Sequence, residues 1–178
     1  MIGERQRGVG GDGRPAAGTF LSATTSSPEG TEALGRGLAA HLRPGDAVLV
    51  SGALGSGKTT LVRGIAAGLG FEGDVTSPTF TLVHFYAASP PLVHADLWRL
   101  ERRQEIEDLA LDEELAAGNV VVAEWGEAAE DLFSGRALLV AMSATGGEDE
   151  RRVEIDARAR AWSERAGALA ADIEEREL

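Results

Sequence analysis

The feature that most constrains this chain is a glycine-rich stretch from Gly52 to Thr60, which reads GALGSGKTT. It fits the pattern of a glycine, any four residues and then Gly-Lys-Ser/Thr, which is typical of loops that bind nucleotide phosphates. The apolar run Ala47–Val50 before it predicts a buried strand, and the residues from Thr60 onward predict a helix. Strand, loop and helix agree with the motif, whereas the alternative is a glycine-rich turn that matches by chance.

The residue types of this loop suit a phosphate group for physical reasons. Glycines at 52, 55 and 57 permit positive φ angles, so backbone N–H groups can converge on an anion at the positive end of the helix dipole. Lys58 is expected to bridge β- and γ-phosphates, and the Thr59 hydroxyl to bind Mg²⁺. The loop therefore predicts a set of nucleotide-binding residues, namely Gly52, Leu54, Gly55, Ser56, Gly57, Lys58, Thr59 and Thr60.

The composition predicts one globular domain with an aliphatic core. The chain has 178 residues, of which 43% are hydrophobic and 5% aromatic, as expected for a single folded unit. The chain contains no cysteine, which excludes disulfides, thiolate metal ligands and a cysteine nucleophile. No apolar run approaches the roughly 20 residues that span a bilayer, and no signal peptide pattern follows Met1. We therefore expect a cytoplasmic protein with no membrane association.

The charge of the chain favours a basic protein partner over a nucleic acid. Its 29 acidic and 17 basic residues give a formal net charge of −12, and such an excess repels polyanions. Direct binding of RNA or DNA by this chain alone is therefore not expected. Two predicted short helices, at 100–109 and 111–115, carry acidic runs that are either a solvated face or a docking surface for a basic partner.

The remaining segments predict an α/β fold. Residues 1–18 have almost no apolar side chains, so they are expected to form a disordered tail. An edge strand is predicted at 19–24, and a helix capped by Ser26 or Ser27 is predicted to run to about Leu42. Further predicted strands end at Tyr86, Asp96 and Glu124, and a hairpin is predicted at 137–142 and 151–156, with its second strand at the sheet edge.

Two more helices complete the predicted arrangement. Residues 125–133 predict a short helix, and 157–178 predict a terminal helix with Trp162, Ala166 and Leu169 on its inner face. We therefore predict a single α/β domain with a mostly parallel central sheet flanked by helices and an antiparallel hairpin at one edge. Its divisions would be the tail at 1–18, the core domain at 19–156 and a C-terminal helical extension at 157–178.

Two acidic residues end predicted strands. Asp96 closes the strand at 91–96 and Glu124 closes the strand at 118–124. Parallel strands place their carboxyl ends at one edge of a sheet, so both carboxylates should emerge beside the phosphate loop and point at the Mg²⁺ ion. Each one alone could instead be a solvated residue or a helix cap, and the pattern does not decide which of them touches the metal.

A segment rich in hydroxyl groups follows the loop's helix. Thr76, Ser77, Pro78 and Thr79 either form a β-turn that satisfies local backbone groups or form a switch that senses the nucleotide. Trp125 follows Glu124 directly and is also a candidate for the nucleotide site, because its ring could stack on a base or simply pack.

Four motifs taken together resemble the bacterial TsaE family, also called YjeE, the ATPase of tRNA threonylcarbamoyladenosine biosynthesis. They are the phosphate loop, SPTFTLV at Ser77–Val83, HADLWRL at His94–Leu100, and Glu124 with Trp125. The resemblance covers about residues 19–156 and implies a small P-loop NTPase-type domain. It also implies that ATP binding and hydrolysis act on the partner proteins TsaB and TsaD, resetting that pair between rounds of tRNA threonylcarbamoylation.

The resemblance also implies roles for individual residues. ATP would be bound by Gly52–Thr60 and Mg²⁺ by Thr59 and Glu124, while Asp96 would position or activate water and the segment at 76–79 would be the switch. Hydrolysis by the isolated chain is expected to be weak, because beyond Lys58 the sequence offers no clear arginine finger among its candidates, which are Arg63 and Arg99. The chain departs from the family pattern at Ala53, where aspartate is common, and also at Trp98 and Gly126.

Two other functions share the phosphate loop. One is a small-molecule kinase, which usually needs an arginine-bearing lid that this sequence does not present. The other is a nucleotide-gated binding module without significant hydrolysis, which would need ATP binding but no water-activating residue.

Overall fold

A computed structural model describes residues 20–133 and 135–175, and the predicted tail at 1–18 lies outside them. These residues form seven strands: β1 Phe20–Thr25, β2 Ala47–Ser51, β3 Val83–Tyr86, β4 Leu92–Asp96, β5 Val120–Glu124, β6 Ala137–Ala144 and β7 Arg151–Asp156. Five helices accompany them: α1 Pro28–Ala39, α2 Lys58–Gly68, α3 Arg103–Glu107, α4 Leu111–Ala116 and α5 Ala166–Glu174. Within this part of the chain, no helix is long and apolar enough to cross a membrane.

All seven strands form one sheet in the order β1-β7-β6-β2-β5-β4-β3. The four central strands, β6, β2, β5 and β4, are parallel to one another. This confirms the predicted α/β fold with a mostly parallel centre and an antiparallel hairpin, formed by β6 and β7. The opposite edge is also antiparallel, because β3 pairs with β4 in that sense.

The prediction that the second hairpin strand lies at the sheet edge is wrong. β1 pairs along the outer side of β7, from Phe20 opposite Asp156 to Thr25 opposite Arg151, so β1 is the edge strand. The alternating burial of β7 reports that one face of the strand packs on the core. Alternation does not show whether the strand has a hydrogen-bonded neighbour on one side or on both sides. The prediction of an edge strand from this pattern was wrong for that reason.

Helices α1 and α2 pack closely and fix the position of the loop that precedes α2. Ser27 caps α1 by accepting a hydrogen bond from the Gly30 N–H at 3.0 Å, as predicted. A Cβ atom at Gly64 would lie 2.2 Å from the Glu32 carbonyl oxygen, and one at Gly35 would lie 2.4 Å from the Leu61 carbonyl oxygen. Only glycine therefore permits this close approach of the two helix backbones.

The sheet has a hydrophobic core on each face. One core lies under α1, α2 and α5 and includes large buried side chains, among them Leu34, Leu38, Leu61, Ile65, Leu138 and Trp162. The other lies under α3, α4 and the short 3-10 helix Gly126–Ala129, and includes Leu49, Val93, Leu97, Ile106, Leu111, Leu115 and Phe133. The helix predicted at 125–133 is therefore present only as that short 3-10 turn.

The terminal segment is not the continuous helix predicted at 157–178. A 3-10 turn at Arg160–Trp162 is followed by a break and then by α5. Trp162, Ala166 and Leu169 are buried, as predicted for the inner face. At the break, the Arg165 guanidinium donates to both carboxylate oxygens of Asp46 and to the carbonyls of Ala161 and His41. This tertiary ion pair overrides local helix propensity.

We expect Arg165→Met to lower the free energy of unfolding by roughly 3 kcal/mol, because it leaves the buried Asp46 carboxylate without its cation. Urea denaturation monitored by circular dichroism measures the loss. Arg160→Met, at an exposed arginine of the same segment, should change the stability by less than about 0.5 kcal/mol. Equal losses for the two variants would contradict the assignment of this ion pair as the anchor of the terminal segment.

Candidate functional site

The glycine-rich loop connects β2 to α2 and holds three glycines at positive φ. The φ angles are 141° at Gly52, 77° at Gly55 and 96° at Gly57. A Cβ atom at Gly52 would lie 2.3 Å from the Met142 carbonyl oxygen and 2.7 Å from the Ser56 Oγ. The loop therefore packs closely against β6, and a residue other than glycine at position 52 would force the backbone to move.

Lys58 is the first residue of α2, two residues before the predicted start of that helix. Its Nζ donates to the carbonyls of Gly52 at 2.7 Å and Ala53 at 3.0 Å, and it lies 3.9 Å from the centre of the Trp125 ring. Burial lowers the pKa of Lys58, while the nearby carboxylates of Glu124, Glu127 and Asp96 oppose that shift.

Among the residues that the structure describes, the Lys58 amine is not held by a carboxylate within hydrogen-bond distance. None of the salt bridges among residues 20–133 and 135–175 involves Lys58, so its hydrogen-bond acceptors are uncharged carbonyls. The Ser56 Oγ in the same loop is buried and has no hydrogen-bond partner within the described residues. A buried polar atom without a partner is uncommon, and a ligand that offers oxygen acceptors would satisfy it.

The two predicted carboxylates stand side by side at the carboxyl ends of β4 and β5. Asp96 lies opposite Glu124 in the parallel register, and each side chain is buried, with 3% of its residue surface exposed. The Thr59 hydroxyl donates to Glu124 Oε1 at 2.8 Å. The prediction that both carboxylates emerge beside the loop is thus confirmed, and Glu124 is the one that contacts the threonine predicted to bind metal.

This arrangement suits a cation that is shared with a ligand. In the part of the chain that the structure describes, no group of three or more His, Asp or Glu side chains could hold a metal by itself. Thr59 and Glu124 together offer a hydroxyl and a carboxylate oxygen, the hard ligands that Mg²⁺ prefers. Mg²⁺ usually keeps several waters and completes its octahedron with phosphate oxygens, so two protein ligands fit that ion.

The segment predicted to be a switch binds Asp96 through its hydroxyl groups. Ser77 Oγ donates to Asp96 Oδ2 at 2.8 Å and Thr79 Oγ1 donates to the same oxygen at 2.6 Å. The Trp98 N–H donates to Asp96 Oδ1 at 3.0 Å. The alternative of a turn stabilised only by local contacts is therefore wrong for Ser77 and Thr79, which bond a residue on another strand.

The other two residues of the segment, Thr76 and Pro78, contribute backbone contacts. The Tyr86 hydroxyl donates to the Thr76 carbonyl at 3.3 Å, and the Pro78 carbonyl accepts from the Leu82 N–H at 2.6 Å. Leu82 adopts a φ of 66°, which is uncommon for a branched residue. These contacts hold the segment in the conformation that presents its hydroxyls to Asp96.

Trp125 packs over the lysine. Its backbone has a φ of 60°, an uncommon conformation for a bulky residue, and its ring centre lies 4.2 Å from that of Trp98. With Lys58 on the ring and Trp98 beside it, the indole packs within the site. Stacking of this ring on a base remains a prediction.

Neither arginine considered from the sequence lies against the loop. Arg63 donates to the Val75 carbonyl at 3.1 Å, and the Arg99 guanidinium lies 4.7 Å from the Phe80 ring centre. A third arginine, which sequence reasoning missed, lies closer. Arg151 is the first residue of β7, and its guanidinium donates a hydrogen bond of 3.3 Å to the Gly55 carbonyl.

Sequence reasoning also missed His94. Its Nε2 lies 2.8 Å from Glu124 Oε1, and the ring is fully buried. A signal was present in both cases. His94 lies two residues before Asp96 on the same strand, and Arg151 opens the strand that follows the one beside the loop.

Comparison with known proteins identifies relatives of the whole domain. A model of the family described as "Threonylcarbamoyl adenosine biosynthesis protein TsaE" matches residues 25–153. The chain is 44% identical over 137 residues to the tRNA threonylcarbamoyladenosine biosynthesis protein TsaE of Streptomyces coelicolor, covering 73% of this chain and 92% of the relative. It is 37% identical over 171 residues to the protein of that name from Mycobacterium tuberculosis, covering 90% and 95%.

A solved structure has the same fold. The crystal structure of Bacillus subtilis YdiB is similar with a TM-score of 0.71 and 30% sequence identity, over 88% of this chain and 95% of that one. The similarity therefore extends over most of both chains.

We expect Gly52→Ala to lower the free energy of unfolding by about 1–3 kcal/mol, because its Cβ would meet the Met142 backbone and force the loop to move. Gly146→Ala is a matched control, since nothing lies within 4 Å of the added Cβ and no positive φ is required there. Urea denaturation of both variants measures the difference. Equal stability for the two variants would contradict the close approach of the loop to β6.

Proposed function

Because the chain belongs to the TsaE family and takes part in tRNA threonylcarbamoyladenosine biosynthesis, we propose that it is the Mg²⁺-dependent ATP-binding and ATP-hydrolysing subunit of that process. One observation carries the proposal. Three features meet at one edge of the sheet: a loop lysine without a carboxylate partner, the Thr59–Glu124 pair, and Asp96 with its hydroxyl donors. These are the parts that phosphoryl transfer from ATP to water requires.

The residues of the site fit ATP and its metal ion. The loop would receive the phosphates on its backbone N–H groups at the start of α2, and Lys58 would exchange its two carbonyl contacts for phosphate oxygens. Thr59 and Glu124 would hold Mg²⁺. When bound, Mg²⁺ would supply positive charge that offsets the negative charge developing on the phosphates.

Asp96 is proposed to position the attacking water by accepting a hydrogen bond from it. In the present conformation its Oδ2 already accepts from Ser77 and Thr79, and its Oδ1 accepts from the Trp98 backbone. A carboxylate engaged in this way has little capacity left to orient water. We therefore propose that the isolated chain hydrolyses ATP slowly, and that the segment at 76–79 moves before the reaction.

The proposed partners are TsaB and TsaD, with hydrolysis resetting that pair between rounds of tRNA modification in the cytoplasm. The net charge of −12 supports a protein partner with a basic surface and disfavours direct tRNA binding by this chain. The tRNA would then be a substrate of the assembly and would be held by the partner proteins.

The proposal is tested by measuring ATP turnover by the chain alone and with purified TsaB, TsaD and tRNA. We expect the partners to raise kcat by roughly tenfold or more, since a correctly positioned catalytic group contributes at least 10²-fold. Equal turnover with and without the partners would contradict partner stimulation. Phosphate transfer that depends on an added metabolite would instead support a small-molecule kinase.

Asp96→Asn separates an ATPase from a nucleotide-gated binding module. We expect it to abolish partner-stimulated turnover while ATP affinity, measured by isothermal titration calorimetry, changes less than about threefold, because Asp96 is not proposed to touch ATP. Glu164→Gln, at an exposed carboxylate between the 3-10 turn and α5, is the control and should preserve turnover. If wild-type turnover is negligible even with the partners, the chain acts as a gated module.

Arg151 is expected to strengthen nucleotide binding through its position beside Gly55. Arg151→Ala should weaken ATP affinity by about tenfold, the effect of losing one hydrogen bond to a charged group. Arg152→Ala is the control, because Arg152 is exposed and pairs with Glu154 at 3.2 Å. Calorimetric titration with ATP compares the two. Equal ATP affinities for the two variants would remove Arg151 from the nucleotide site.

A further inference from the structure

His94 is a buried polar residue whose contacts are directed at the proposed metal site. It lies on β4 opposite Val122 of β5, and none of its surface is exposed. Its Nε2 lies 2.8 Å from Glu124 Oε1. Because an ionised carboxylate oxygen only accepts hydrogen bonds, Nε2 is the donor in this pair. The ring Nδ1 has no hydrogen-bond partner among residues 20–133 and 135–175.

Glu124 Oε1 is therefore held from two sides. Thr59 donates to it from the start of α2, at 2.8 Å, and His94 donates to it from the interior of the sheet, also at 2.8 Å. A threonine hydroxyl that donates its hydrogen keeps two lone pairs, so Thr59 can retain this bond while its oxygen binds a cation. The two donors together fix the direction of the carboxylate.

Packing alone does not account for an imidazole at this position. The ring is buried next to Val122 in register and next to the aromatic ring of Tyr86, whose centre lies 6.2 Å away. Burying a polar ring costs free energy that an apolar side chain of similar size would not cost. The hydrogen bond to Glu124 offsets this cost, so the polar ring is explained by its contact with that carboxylate.

We propose that His94 is a positioning residue for Glu124, which orients the carboxylate for the cation that accompanies the nucleotide. This inference rests on the proposed function, since it takes Glu124 and Thr59 as the ligands of Mg²⁺. Residues that orient a metal ligand typically change metal affinity by 10–100-fold when they are replaced. His94 acts through Glu124 and contacts neither nucleotide nor metal.

Three substitutions at this position separate orientation from packing. His94→Leu fills the space without a donor. His94→Gln places an amide N–H at about the reach of Nε2, whereas His94→Asn is polar but too short to reach Glu124. We expect the Mg²⁺ concentration for half-maximal binding of a fluorescent ADP analogue to rise about tenfold or more in the Leu and Asn variants, and to stay within about threefold of wild type in the Gln variant. Binding of the analogue without Mg²⁺ should be unchanged in all three.

A double-mutant cycle with Glu124→Gln tests whether His94 acts through that carboxylate. In the Glu124→Gln background, His94→Leu should have no further effect on the Mg²⁺ requirement, so the two changes should be strongly non-additive. His41→Leu is the matched control, because His41 is a partly buried histidine that pairs with Asp172 on α5, and it should behave as wild type.

Each outcome decides the inference separately from the function. If the wild-type chain does not bind the ADP analogue, or binds it without any Mg²⁺ dependence, the proposed function fails and the role of His94 fails with it. If wild type depends on Mg²⁺ but the Leu and Asn variants keep the wild-type requirement, or if the effects in the cycle are additive, only the role of His94 is overturned. Circular dichroism of each variant identifies any that is unfolded, and the cycle is then read from the folded ones.

Discussion

The parallel pairing of β5 with both β2 and β4 is the constraint on which the site depends. It places Glu124 opposite Val50 on one side and opposite Asp96 on the other, so the carboxyl ends of three strands meet where the glycine-rich loop begins. The contact between α1 and α2 then positions the start of α2. The glycines at this contact let the two helices approach closely, so that Lys58 and Thr59 lie within reach of Glu124. The functional side chains need no long loop to bring them together.

This geometry leaves the site with an excess of buried negative charge. Asp96 and Glu124 are buried beside each other, and Lys58 is the cation whose charge interacts with both. Hydroxyl donors lessen the cost of burying the carboxylates, yet they add no charge. A divalent cation would balance the site, and a polyphosphate arriving with it would meet the lysine. The balance of charge thus supports the proposal that a nucleotide and its metal ion would bind together.

The elements were largely predictable from the sequence, whereas the contacts between distant residues were not. Apolar runs and their flanking glycines predicted the strands, and parallel pairing predicted the meeting of Asp96 with Glu124. Local patterns carry no record of partners, so the pairing of the predicted edge strand β1 with β7 and the break at Arg165 were missed. Arg151 donates a hydrogen bond to a carbonyl 96 residues away. The contact of His94 with Glu124 depends on the pairing of β4 with β5, which only the fold supplies.

The contacts of Asp96 also set a scale for activation of the proposed reaction. For Asp96 to orient a nucleophile through Oδ2 as proposed, water would replace its two hydroxyl donors, and each exchange would cost about 1 kcal/mol. The two exchanges together would cost about 2 kcal/mol, so the Asp96 carboxylate would be free of both hydroxyl donors in roughly 3% of molecules. This is a minor state of the kind that a partner can select. A partner that binds the displaced segment needs only this small difference in affinity to raise turnover more than tenfold. The slow hydrolysis proposed for the isolated chain and its proposed stimulation by a partner would then share one cause, the hydrogen bonds from Ser77 and Thr79 to Asp96.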